Sequence, residues 1–217
     1  MKQAEPAKKT RTRLSPEARK AMILDHAAQL IADEGVSAVS MERLGKRAGI
    51  SKALVYNYYP SVTGLMHELL NREFRYLRKL QFEAAESADT LEQLIRRVTN
   101  VYLSYIKEHG LLLERLMAEP AVTNYSDPTK YARDGAVEYL AEILSANFGI
   151  DMEIAVPVVD ISYGLPAAAG QYLIHHDTDI QTIEDITVTM IIGSIEAIQK
   201  KYDISLKHLR KQSLQDT

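Results

Sequence analysis

The sequence predicts an all-α protein: a small N-terminal helix-turn-helix domain followed by a larger helical body. Three observations predict it. Apolar residues recur at spacings of three and four along most of the 217 residues. No alternating run is long enough for a strand. Between Gly35 and Ser61, glycine, serine and proline punctuate short helical stretches, the layout of two helices joined by a tight turn.

The elements follow in order. Residues 1–14 read as a basic, flexible arm, in which Lys2, Lys8, Lys9, Arg11 and Arg13 face only Glu5. Ser15-Pro16-Glu17 starts a helix over 16–34, with an N-cap, a proline in the first turn and an acid at the positive dipole end. Ile23, Ala27, Leu30 and Ile31 form its apolar face, and Gly35 stops it. Ser40 caps a second helix that turns at Gly49, and Ser51 caps a third over about 52–58. Val55 and Tyr59 fall on core positions. Ser61 opens a long fourth helix to about residue 86.

The body, residues 61–217, continues in helices. One runs from Thr90 to His109, closed by Gly110, with His109 favouring the negative helix end. A short one covers 111–117, a loop 120–127 and another helix 128–148. Residues 151–175 are apolar on nearly all sides, which predicts a helix buried all round. The last long helix covers 182–202. Two such apolar helices in one modest chain predict a homodimer through 151–175 and 182–202.

Net charge is −3, yet its distribution is uneven. Residues 1–60 carry 11 basic and 6 acidic side chains; the rest carry 15 and 23. A basic head on an acidic body points to one end meeting a polyanion. The absence of Cys excludes disulfides and thiol chemistry. The N-terminal MKQAEPAKKTRTR has no signal-peptide core, and no uninterrupted apolar stretch approaches the roughly 20 residues that span a bilayer. A cytoplasmic protein without a membrane segment is the expectation.

Residues 40–65, SMERLGKRAGISKALVYNYYPSVTGL, carry a more specific signal. This stretch resembles the TetR family of bacterial transcriptional regulators. Ala48-Gly49-Ile50-Ser51 matches the family's turn; Val55-Tyr56, Tyr58-Tyr59, Pro60-Ser61 and Leu65 match the rest. Gly45 and Ala53 depart from the usual Ala and Gly. Val62 replaces a lysine that in the family commonly meets a phosphate. The resemblance covers about residues 16–66 and implies a DNA-binding head, 15–60, on a ligand-binding and dimerisation body.

A helix in the major groove reads base edges, with each good pairing worth about 1–3 kcal/mol of discrimination. The candidate DNA-binding residues are Ser40, Arg43, Lys46, Arg47, Ser51, Lys52, Ala53, Leu54, Tyr56, Asn57 and Tyr58. Lys52 suits guanine or a phosphate, Asn57 suits adenine, and Ala53 and Leu54 suit thymine methyls. By family analogy Tyr56 gives its hydroxyl to a phosphate, and Tyr58 does likewise. Arg43, Lys46, Arg47 and the arm supply sequence-independent phosphate contacts. A dimer would then read an inverted-repeat operator in double-stranded DNA, its two reading helices about 34 Å apart.

Family analogy also implies a small-molecule effector in the body, with repression the commoner outcome and activation, or a ligand-independent regulator of the same fold, the alternative. Nine of the 12 tyrosines follow residue 60. Tyr102, Tyr105, Met117, Tyr125, Tyr131, Tyr139 and Tyr163 are candidates to line an apolar pocket with hydroxyl handles. Asp160, among Val158, Val159 and Ile161, reads as a buried acid needing a salt bridge or a ligand. His175-His176 at a helix end reads as a solvated terminus rather than a metal site. The chain has no phosphate-cradling Gly loop, HExxH or nucleophile elbow, so no enzyme, cofactor or metal is expected. A helical protein-binding adaptor is the competing class.

Overall fold

The architecture is that of a computed structural model, described here for residues 14–123 and 130–213. Ten α-helices run along those residues, and no strand occurs among them. They are α1 (Pro16–Glu34), α2 (Met41–Ala48), α3 (Lys52–Tyr58), α4 (Val62–Glu86), α5 (Leu91–Met117), α6 (Pro120–Thr123), α7 (Lys130–Phe148), α8 (Met152–Ser162), α9 (Gly164–His175) and α10 (Ile180–Ser213). The chain divides into two compact units between Leu69 and Leu70, inside α4.

The first unit is built on local caps. Ser15 Oγ accepts the Ala18 N–H at 3.1 Å, and Pro16 opens α1. Gly35 takes φ +90°, which a side chain would strain, and its N–H closes α1 on the Ile31 carbonyl at 2.9 Å. Ile23, Ala27, Leu30 and Ile31 of α1 are fully buried, as are Leu44, Val55 and Leu65. Each large aliphatic side chain so buried stabilises the unit by about 1.5–3 kcal/mol.

In the second unit, several helix ends differ from the sequence expectation. α5 passes through Gly110 without a break, so the separate helix at 111–117 does not exist. Gly110 is there for space. A Cβ at that position would lie 2.7 Å from Ile174 Cδ1 of α9. Gly170 of α9 repeats the device, since a Cβ there would lie 3.1 Å from Ile106 Cγ2 and 3.2 Å from Tyr102 Cε1. Small residues let α5 and α9 approach closely. His109 accordingly sits inside α5 rather than at a helix end, its ring 4.5 Å from that of Tyr105. The expected loop at 120–127 begins instead with the short α6.

The segment expected as one helix over 151–175 is two, parted at Tyr163. Nor is it buried all round. In α8 only Ala155 and Val158 are buried, and in α9 only Gly170 and Leu173, whereas Val156 and Ile161 are exposed. By length and composition alone, residues 152–175 suffice to cross a membrane, at a mean hydropathy of 1.2. Here they pack instead: Ala155 and Val158 join Ala141 and Leu144 of α7 and Ile191 and Ile195 of α10 in one apolar cluster.

α10 starts before and ends after the expected 182–202. Asp179 caps it, its Oδ2 accepting from the Thr182 N–H at 3.0 Å, and this bond holds the carboxyl below its ordinary pKa. One turn later the buried Glu184 accepts from Asn100 Nδ2 at 2.5 Å and lies 3.4 Å from Arg96 Nη1, which ties α10 to α5.

Candidate nucleic-acid interface

The turn between α2 and α3 is fixed at both ends by serines. Ser40 Oγ accepts the Arg43 N–H at 3.2 Å, starting α2, and Ser51 Oγ accepts the Leu54 N–H at 3.2 Å, starting α3. Between them Gly49 adopts the left-handed conformation, φ +64° and ψ 31°, which only glycine takes freely. The Ile50 N–H then returns to the Gly45 carbonyl at 2.9 Å. Gly45 has its own reason. A Cβ there would stand 2.9 Å from the Ile50 carbonyl oxygen and 3.2 Å from the Lys52 nitrogen, so the missing side chain lets the turn lie against α2.

These constraints leave α3 anchored on one face and open on the other. Val55 is fully buried and Tyr59, just past the helix, is 6% exposed, its hydroxyl donating to the Lys20 carbonyl at 3.4 Å. Lys52, Ala53, Tyr56 and Asn57 share the open face and are exposed; Leu54 and Tyr58 are half-buried at its margins. Ser51 is exposed and Ser40 half-buried, both engaged as caps. Among the described residues, Lys46 and Lys52 have no carboxylate within ion-pair distance, so their charge faces solvent.

Arg43, Lys46 and Arg47 line one shallow depression on α2. The two arginines are engaged within the unit, Arg43 with Glu34 at 2.8 Å and Arg47 with Glu34 at 3.6 Å and Asp33 at 3.8 Å. Sequence spacing does not reveal these pairs, because Glu34 and Arg43 lie on different helices. At the start of α4, Ser61 Oγ takes the Gly64 N–H at 3.0 Å, and Val62 offers no charge. The basic arm lies outside the described residues apart from Leu14.

The described residues expected to line an effector pocket in the second unit differ in their surroundings. Met117 and Tyr139 are 54% and 59% exposed, on the surface rather than around a cavity. Asp160 is not buried: it is exposed and pairs with Arg133 Nη2 at 2.8 Å, the salt-bridge reading. Tyr105 is buried, but its hydroxyl donates to Glu73 Oε2 at 2.6 Å, and burial together with that carboxylate raises its pKa. Glu73, in turn, accepts from Arg72 on its other oxygen at 2.9 Å. A buried acid there was readable in principle, since Leu69, Glu73 and Leu77 fall on one stripe of α4. Tyr102 and Tyr163 remain partly buried, each with its pKa raised by desolvation. Tyr125 and the side chain of Tyr131 lie outside the described residues.

Comparison with known proteins points to the same end of the chain. Residues 23–69 match the family model for bacterial regulatory proteins of the tetR family. The chain is 28% identical over 102 residues to the HTH-type transcriptional regulator LuxR of Vibrio harveyi, spanning about half of each protein. It is 24% identical to the transcriptional activator FasR of Mycolicibacterium smegmatis, over 77% of this chain and 78% of that one. With the transcriptional repressor KstR of the same species it shares 22% identity over 82% of this chain and 89% of that one. In fold it resembles a tetR-family regulator from Streptomyces coelicolor, with a TM-score of 0.70 at 22% identity, covering 94% of this chain and 91% of the other.

Proposed function

We propose that the chain is a DNA-binding transcriptional regulator of the TetR family, a homodimeric repressor released from an inverted-repeat operator by a small, largely apolar effector. The observation that carries the DNA reading is the open face of α3. Lys52, Ala53, Tyr56 and Asn57 stand exposed on a helix whose opposite side is pinned by the fully buried Val55. In this reading Lys52 and Asn57 read base edges, Ala53 and Leu54 meet thymine methyls, and Tyr56 and Tyr58 reach phosphates. Lys46, the α2 arginines, the two capping serines and the basic arm complete the contact to the sugar-phosphate backbone.

The dimer reading rests on what the second unit leaves uncovered. Ile186 and Met190 of α10 are 51% and 52% exposed, and with Gly193 and Ala197 they recur at i, i+4, i+7 and i+11, a single stripe. Val156 and Ile161 of α8 and Tyr172 of α9 are exposed as well. A second copy laid on these faces would bury them. The effector reading rests on the partly buried Tyr102 and Tyr163, which offer hydroxyls beside apolar surface and suit a molecule with an apolar body and one polar end. Such a ligand weakens DNA binding only through different affinities for the DNA-competent and incompetent states, and the two ligands then lower each other's affinity by the same factor.

The test is a gel shift with duplex from upstream of the protein's own gene, run across a salt series and with small compounds that have an apolar body and one polar end. The expected result is retention at low salt, steep weakening as salt rises, and release by one compound class. A flat salt response removes the phosphate contacts from the proposal. The name of FasR marks it as an activator, so a promoter-reporter assay decides the sign: loss of the gene raises expression under repression and lowers it under activation.

A further inference from the structure

Two charges in the first unit are set against the rules of their own helices. Glu34 is the last residue of α1, where the helix end is negative and a carboxylate is unfavourable. Arg43 stands in the first turn of α2, where the helix end is positive and a cation is unfavourable. That turn position is also the one where a carboxylate would complete a capping box with Ser40. Local helix physics explains neither residue. Their pairing explains both: Arg43 Nη2 reaches both oxygens of Glu34, at 2.8 and 2.9 Å, while Nη1 donates to the Ala38 carbonyl at 3.2 Å. Arg47 Nη2 is drawn to the same carboxylate at 3.6 Å.

We infer that Glu34 competes with the DNA backbone for Arg43, and in smaller part for Arg47, and so weakens the phosphate contacts these arginines make and holds down the sequence-independent affinity of the head. The inference rests on the DNA-binding reading above. A phosphate that recruits Arg43 must displace a carboxylate already in place, so the gain is only the difference between two charge-assisted contacts. A phosphate that approaches without displacing it meets the charge of Glu34. Either way the three α2 cations deliver less than their number suggests, and the freely charged Lys46 and Lys52 dominate. Phosphate contacts act alike on every sequence, so restraining them favours binding governed by the α3 face.

The experiment is fluorescence anisotropy of the full chain on an unrelated duplex and on the upstream duplex, each over a salt series. Glu34→Gln is expected to bind both about 3-fold more tightly at low salt, with a log–log salt slope steeper by about 1. The double variant Glu34→Gln with Arg43→Gln returns the slope to the wild-type value, because the charge released is then gone. An unchanged or weaker affinity and an unchanged slope in folded Glu34→Gln would overturn the inference and leave the pair a mere tie between α1 and α2. A steep slope that persists in the double variant overturns the assignment to Arg43. Should the wild-type chain bind no duplex even at low salt, the DNA reading itself falls and this inference falls with it; wild-type binding with an unaltered Glu34→Gln slope removes only the inference.

Discussion

In the first unit the helix ends fall where residues beside them in sequence put them, whereas in the second unit, although Asp179 still caps α10 locally, packing against distant residues overrides some of the local signals. Ser15, Ser40 and Ser51 each cap the helix that begins at the next residue, and Gly35 and Gly49 end helices by their own backbone conformation. Gly110, by contrast, ends nothing: its size matters because Ile174 of α9 lies against it. Glu184 is held by Arg96 and Asn100 of another helix. The difference has a functional meaning. A reading head needs one rigid turn, and short-range caps specify it almost independently of what the rest of the chain does. The second unit draws its order from packing between helices distant in sequence, so its details can differ among proteins that share the head.

The variants expected to test this contrast differ in size. The largest effect belongs to the head: Lys52→Ala, Tyr56→Phe and Asn57→Ala together are expected to weaken binding to the upstream duplex about 100-fold or more, with the melting temperature unchanged. Retained affinity in a gel shift would remove the groove assignment for α3. The next belongs to the body. Tyr105→Phe removes the donor to the buried Glu73 Oε2 and is expected to cost about 1–3 kcal/mol in urea unfolding. A tyrosine that served only as a ligand handle would change effector affinity and leave unfolding untouched. The smallest is a pair of glycines. Gly135→Ala in α7 meets nothing within 4 Å and is expected to stabilise by roughly 0.8–1 kcal/mol through helix propensity. Gly110→Ala gains the same propensity but must displace Ile174, so its melting temperature is expected to fall short of that of Gly135→Ala. Equal gains would show that the α5–α9 approach is looser than the spacing implies.

The same contrast explains how far the sequence could be read. Ser15, Ser40 and Ser51 were legible as caps because an N-cap bond reaches only three residues along the chain, and Val55 and Tyr59 as core because helical period places them opposite the exposed residues. The tie between Arg43 and Glu34 was not legible, since it joins two helices whose relation the turn decides. The partner of Tyr105 was not legible for a similar reason: a tyrosine on an apolar face has the same pattern whether its hydroxyl faces open space or is taken by a carboxylate on a neighbouring helix. Asp160 looked buried because its neighbours are apolar, yet it lies on the open side of α8 beside Arg133.

By itself the sequence determined the all-helical class, the three-helix reader and the surface that α3 presents, because caps, glycine conformations and a period of 3.6 act within one or two helical turns. Only the tertiary structure decided that α5 runs through Gly110, that α8 and α9 part at Tyr163, and which polar groups of the body are already engaged. Those outcomes depend on which side chains meet across tens of residues, and close packing selects among arrangements that local propensity leaves equally acceptable.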